Sequence, residues 1–397
     1  MYEVFGYVLV LAGLVALTAV ASRGLQPALR RVLWLSFWLR VAGSLARYLV
    51  LVGPYKSGGD ATAYFAYGQY ISDAMWSFDL EGVDNYLTGR DGTVFVRVVS
   101  AVVLSIIGPT MVGEFLVFSM FSMLGLWLMI LAVEHESGTD TARRYALIVS
   151  VSPSLCYWPC SVGKDALVIL ALGLVMRGYV GARGRPRWLL LSSGLLLCAA
   201  TRPHIAALAA VGLVVAEVVS SEGHMLAGQR APKLFLLGVA AAYLIAEMGE
   251  SFSIDPTSLE DVEAFLDFAA GQTMQGGSQI EASSGFARFG MAFVNVLFRP
   301  FLWEAHNLGA LLASIELVVL WIFVLRDRRA FRDGLRGFRR DRALRFALAC
   351  GLLLAVALGA TFFNMGILAR QRVAPLALLL TAVWRTPTPR APQEHLQ

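Results

Sequence analysis

Residues 152–165, Ser152-Pro-Ser-Leu-Cys-Tyr-Trp-Pro-Cys-Ser-Val-Gly-Lys-Asp165, form a polar, proline-punctuated break between two hydrophobic runs. Read as a hairpin joining two membrane spans, the stretch sets Lys164 and Asp165 at a membrane face. Charges there are costly unless turned toward the protein interior or a wet cavity, so both are functional-site candidates by default. Three later stretches repeat the arrangement: Thr201-Arg-Pro-His204, Phe298-Arg-Pro-Phe-Leu-Trp-Glu-Ala-His306 and Asn364-Met-Gly-Ile-Leu-Ala-Arg-Gln-Arg372.

The surrounding chain has the composition this reading needs. Of its 397 residues, 57% are hydrophobic and only 15% charged, with mean hydropathy +0.64, too little polar surface for a soluble globule of that length. The expected fold class is all-α, a polytopic membrane protein. A net charge of +5 does not point to nucleic acid, because the basic residues sit mainly in short loops between apolar runs, as the positive-inside pattern requires. No GxxxxGK[ST] phosphate loop, HExxH helix or GxSxG elbow is present, which argues against an ATPase, a zinc protease and a serine hydrolase.

Taking roughly 20 apolar residues per span, fewer where neighbours enclose the helix, candidate spans fall near 4–21, 33–53, 111–133, 145–160, 165–180, 188–201, 204–219, 233–248, 305–325, 344–362 and 373–384, about eleven in all. The first ends in Ala19-Val-Ala21, like a signal-peptidase site, but Glu3 precedes it and an uncleaved span is expected. Residues 96–107 and 291–302 are too short or too interrupted to span and read as interfacial or re-entrant helices. Residues 1–385 then make one transmembrane domain, with outer loops 54–96 and 249–304, and 386–397 a disordered cytoplasmic tail.

Loops holding Arg23, Arg30 and Arg31, then Arg143 and Arg144, then Arg177 to Arg187, then 326–345 share one side, taken as cytoplasmic, with the N-terminus outside. The opposite loops are acidic. In the second, Thr257 or Ser258 caps an expected amphipathic helix, with Val262, Phe265, Leu266 and Phe268 apolar, lying near the membrane surface; 271–285 reads as a mobile loop. Cys156 and Cys160 are four residues apart, but small buried hydrophobes describe all four cysteines better than a disulfide or metal pair.

Asp60 lies in Gly58-Gly-Asp-Ala-Thr-Ala-Tyr-Phe-Ala-Tyr67, just beyond the second span, with Tyr64 one helical turn on. A carboxylate there suits general-base work on an acceptor hydroxyl, and equally suits helix capping. Lys164 and Asp165 are adjacent, so on a helix they diverge by about 100° and at least one contacts something else. Arg202 and His204 flank a proline between short spans; Arg299, Glu304 and His306 border the second short helix; Arg370 and Arg372 open the last span. One such arginine alone snorkels to lipid phosphate. As a set on a side otherwise poor in cations, their guanidinium forks suit the bidentate binding of a pyrophosphate.

These residues and this organisation resemble the GT-C superfamily of polyprenyl-phosphate-dependent glycosyltransferases. The Pro153…Trp158…Lys164-Asp165, Arg202-Pro203 and Asn364…Gly366…Arg370…Arg372 pattern also looks like membrane proteins of bacterial exopolysaccharide clusters, including repeat-unit polymerases. The resemblance implies transfer of a sugar or oligosaccharide from a polyprenyl-(di)phosphate donor outside the bacterial cytoplasmic membrane, alongside membrane lipids and other glycan-assembly proteins as partners. It implies Asp60 as the loop acid and Arg202, Arg370 and Arg372 as donor-phosphate arginines. This Asp follows the second span, whereas the family usually carries it after the first, and no paired acid stands beside it. No cofactor motif is evident; a divalent cation stays open. Two other classes remain: a transporter or flippase of an anionic lipid-linked substrate, and a non-catalytic subunit of a glycan-assembly complex.

Overall fold

The computed structural model describes all residues except 1, 55–57, 88, 90, 182–185, 221–226, 256, 274–279, 281–285 and 384–397. The expected cytoplasmic tail, and the expected mobile loop apart from 271–273 and Ile280, fall outside the described residues. All regular elements among the described residues are helices: α1 Tyr2–Ala21, α2 Pro27–Val52, α3 Asp60–Trp76, α4 Leu80–Tyr86, α5 Asp91–Ile107, α6 Met111–Val151, α7 Pro153–Tyr157, α8 Lys164–Val180, α9 Trp188–Thr201, α10 Pro203–Val218, α11 Ala227–Phe252, α12 Leu259–Thr273, α13 Phe286–Phe298, α14 Leu308–Arg326, α15 Arg328–Arg336, α16 Arg342–Thr361, α17 Met365–Gln371 and α18 Val373–Leu379. The protein is an all-α, multi-pass membrane protein.

Among the described residues six helices are long and apolar enough to cross a membrane: α1, α2, α6, α11, α14 and α16, the α11 stretch being Ala231–Glu250. The pair α17 and α18, bent by 46°, makes a seventh if taken as one broken span. Several other expected spans are shorter helices: α8 has 17 residues, α9 14 and α10 16. For α8 the brevity has a packing reason. Helix α8 is enclosed by α6, α9, α16 and α18, and from Ala166 to Val180 most of its side chains are buried, so protein takes the place of lipid around it. The expected span at 145–160 does not exist as one helix. Helix α6 breaks at Gly138 (φ 80°, ψ 169°), resumes, and ends at Val151, because Pro153 holds Ser152 extended.

The main core runs through α6, α8, α10, α16 and α18, with Met129, Tyr145, Leu172, Met176, Leu213, Phe346 and Leu378 fully enclosed. A second cluster decides where the site stands. Tyr64 of α3, Val96 of α5 and Phe115 and Phe118 of α6 close over Val162, Ala166 and Leu167, seating α3 on the start of α8. The acidic-loop helix is α12, capped by Ser258, whose Oγ accepts from Asp261 N at 3.2 Å. Its Val262, Leu266 and Ala270 pack toward α13 and α16, while Phe268 is exposed.

The two ends of α8 differ chemically. Lys164 and Asp165 open it; at its far end Arg342 Nη1 donates to the carbonyl of Val180 at 3.4 Å. At 1.5 Å per residue the ends are about 25 Å apart, so the arginine-rich segment at 326–345 stands at the opposite end of the bundle from Asp165.

Candidate functional site

The site is built on helix ends and breaks. Gly163, with φ 158°, turns the chain into α8 through a backbone conformation that a side chain resists. The next two residues, Lys164 and Asp165, are thereby placed in the first helical turn. Helix α9 stops at Thr201 because Pro203 follows; Arg202 is extended at the junction (φ −151°) and Pro203 opens α10. Asn364 caps α17, its Oδ1 accepting from Gly366 N at 2.9 Å and Ile367 N at 3.2 Å, which fixes the start of the short helix carrying Arg370.

These breaks converge on Asp165. Its side chain is 4% exposed, and both oxygens are engaged: Arg202 Nη2 donates to Oδ1 at 2.8 Å, and Arg370 Nε donates to Oδ2 at 2.5 Å. A carboxylate buried between two guanidinium groups is compensated as such a charge must be. Arg370 Nη1 also reaches Asp60 Oδ2 at 3.5 Å, and Asp60 is 68% exposed at the first position of α3. Arg202 Nη1 donates to Gln371 Oε1, tying α10 to α17.

Tyr64 lies one turn along α3 from Asp60. Burial and then the Asp60 carboxylate push its hydroxyl above the usual range, against the pull of Thr93, Arg370 and Arg202. Lys164 is close to the start of α5: a Cβ added to Gly92 would lie 3.3 Å from Nζ. His204 is within electrostatic reach of Arg202 and Lys164 and packs on Phe252, ring centroids 5.7 Å apart. Asp60, Tyr64, Lys164, Asp165, Arg202, His204 and Arg370 are thus gathered at one end of the bundle.

Arg299, Glu304, His306 and Arg372 are arranged otherwise. Arg299 grips Glu304 through Nε, at 2.9 and 3.1 Å, and through Nη2, and Glu304 also accepts from Phe301 N at 2.9 Å. Burial pulls the Glu304 carboxyl upward, but the hydrogen bonds from Arg299 and Phe301, with the charges of Arg299 and His306, together hold it below the usual carboxylate range. This is a self-contained pair at the turn between α13 and α14. Arg372, expected beside Arg370 as a phosphate ligand, is 1% exposed and donates to the carbonyls of Arg299 at 2.9 Å and Ala313 at 3.4 Å. Two residues along a helix from Arg370 it points about 200° away, into the packing.

Four residues that the sequence reading passed over belong to the site or its frame. Gln371 receives Arg202. Thr93 bonds to Tyr64. Glu316, 5% exposed within α14, accepts from Ser152 Oγ, Ser154 Oγ and Ser154 N, the last at 3.1 and 3.2 Å, and so grips the start of the 152–165 stretch. Arg47 of α2 lies against the same stretch and within electrostatic reach of Asp165. Arg47 and Glu316 were findable, since an ionisable residue inside an apolar span is a candidate by position alone.

The four cysteines are free thiols; Cys160 Sγ accepts from the buried Arg40 at 3.7 Å. Among the described residues no three of His, Cys, Asp and Glu stand together as metal ligands. Compared with known proteins, the chain matches no protein family, no curated protein and no solved structure.

Proposed function

We propose that the protein is a membrane glycosyltransferase or polysaccharide polymerase, moving a sugar or oligosaccharide from a polyprenyl-(di)phosphate donor onto a growing glycan at the outer face of the cytoplasmic membrane. One observation carries the reading: Arg202 and Arg370, from helix breaks 168 positions apart, share the buried Asp165, and Arg370 extends from it to the exposed Asp60. Arg47, Lys164, Arg202 and Arg370 stand around the carboxylates of Asp165 and Asp60, a cation-rich setting that suits an anionic ligand. Preorganised cations of this kind stabilise the charge that develops on a departing phosphate.

In this reading the roles divide. Asp60, exposed and beside Arg370, is the general base that takes the acceptor hydroxyl's proton. Asp165, with both oxygens engaged, positions the two arginines. Lys164 and the free edges of Arg202 and Arg370 meet the phosphate, and Tyr64 and His204 line the approach. The arginine-rich 326–345 segment, at the far end of α8, faces the cytoplasm.

The test is mass analysis of lipid-linked glycans in cells lacking the protein. Single repeat units accumulated at the outer leaflet identify a polymerase, a truncated repeat identifies a monosaccharide transferase, and an unchanged lipid-linked pool rejects both. A second reading, transport of an anionic lipid-linked substrate, draws on buried ionisable side chains away from the Asp165 cluster, Arg40 and Glu114, both 0% exposed. Transport predicts a full-length repeat trapped at the inner leaflet in the same cells.

A further inference from the structure

The two arginines that face Asp165 are largely committed. Arg202 gives one nitrogen to Asp165 and one to Gln371; Arg370 gives Nε to Asp165 and Nη1 to Asp60. Arg47 differs. It projects from α2 on the face that carries Arg40 and Gly43, the face turned to the 152–165 stretch, and a Cβ at Gly43 would lie 1.9 Å from the Cys156 carbonyl oxygen. Its partners are all neutral: Ser161 Oγ at 3.4 Å from both Nε and Nη2, and Tyr157 Oη at 3.5 Å from Nη1. Those separations exceed the usual 2.7–3.2 Å for N–H···O bonds. Among the described residues no carboxylate is within ion-pair distance of it.

The guanidinium is nevertheless held in place. Its carbon lies 5.0 Å from the Tyr157 ring centroid and 5.2 Å from that of Trp158, so two aromatic rings restrain the cation without neutralising it. An arginine fixed in a partly enclosed setting, with its donors poorly spent and hydroxyls beside it, is prepared for an anion whose oxygens match the fork.

We propose that Arg47, with Ser161 and Tyr157, is a phosphate-binding subsite adjoining the Asp165 cluster. The proposal rests on the donor assigned above and deepens it: the phosphate is bound by the uncommitted arginine, with Arg202 and Arg370 contributing what Asp165 leaves free. No covalent step is involved.

The full-length protein in phosphatidylcholine nanodiscs tests this with three probes: a sugar-free polyprenyl phosphate, the corresponding polyprenol, and inorganic pyrophosphate. Arg47→Gln is expected to raise the Kd for polyprenyl phosphate at least tenfold, the scale of a lost charge-assisted hydrogen bond, and to leave polyprenol binding unchanged. Arg47→Lys falls between, because it keeps the charge and loses the fork. A parallel loss for pyrophosphate supports the subsite and shows the phosphate alone to be sufficient; a loss confined to the polyprenyl phosphate supports it and makes the lipid chain part of recognition. Where Arg47→Gln does not fold, judged by its unfolding midpoint, Arg47→Lys carries the test. Unchanged affinity for both phosphate probes in a folded Arg47 variant, with Arg370→Gln impaired, overturns the subsite and spares the proposed function. Equal loss of polyprenol binding also overturns it. Arg47-dependent phosphate binding without any sugar transfer would retain the subsite and remove the glycosyltransferase.

Discussion

Arg370 and Asp165 are 205 positions apart in the chain and joined by a 2.5 Å hydrogen bond from Nε to Oδ2, within a carboxylate that Arg202 holds from its other side. This contact closes α17 onto the start of α8. It also makes Asp165 the group on which the orientation of both arginines depends.

Asp165→Asn is therefore expected to be costly in stability as well as function. Removing one partner of a buried pair leaves uncompensated charge and typically costs about 3–5 kcal/mol. Here two partly enclosed guanidinium groups lose their partner at once. Thermal unfolding of the variant in nanodiscs checks this, and Arg202→Gln in the Asp165→Asn background should cost less than in the wild type, because the two changes share one interaction.

The seat of the 152–165 stretch gives a second prediction. With 1.9 Å between an added Cβ at Gly43 and the Cys156 carbonyl oxygen, α2 and the stretch touch through backbone. Gly43→Val forces them apart, with an overpacking cost of about 1–3 kcal/mol, and moves Arg47 with its helix. A lowered unfolding midpoint and a weaker affinity for polyprenyl phosphate are expected together; an unaltered midpoint contradicts the packing described.

The Arg299–Glu304 pair carries a pH dependence whose sign follows from its geometry. Because the folded carboxyl is held below the usual range, the pair's stabilisation is complete above the unfolded value of about 4.3. It is lost as pH falls through the lower folded value. Trp303 stands in the same turn and reports it. Its fluorescence should shift in that acid window in the wild type and show no such step in Glu304→Gln.

Much of this was legible in the sequence, for identifiable reasons. Proline and glycine at 153, 163 and 203 declare helix breaks locally, and a charge at a break between apolar runs has few places to go, so Asp60, Lys164, Asp165, Arg202 and Arg370 could be named together. Which of them pair could not be read, because the pairing depends on how α3, α8, α10 and α17 pack. Arg372 and Arg299 look equivalent to Arg370 and Arg202 along the chain; helical phase sends Arg372 into the packing, and the nearby Glu304 captures Arg299. Arg47 was less visible for the opposite reason: with Arg40 it is one of two arginines inside an otherwise convincing span. The expected count of about eleven spans is not reached by length and apolarity alone, because α8, α9 and α10 are shorter than a lipid-facing helix needs to be.

The central claim is tested most directly by transfer from a synthetic polyprenyl-diphosphate glycan to an acceptor in nanodiscs, with donor binding measured separately for the wild type and Asp60→Asn. The amide keeps the shape of the side chain but cannot take the acceptor's proton. The account predicts transfer by the wild type, and in Asp60→Asn donor binding within about twofold of wild type with turnover down about 10² to 10⁴-fold. No transfer by a folded, donor-binding wild type, or undiminished turnover in Asp60→Asn, would contradict it.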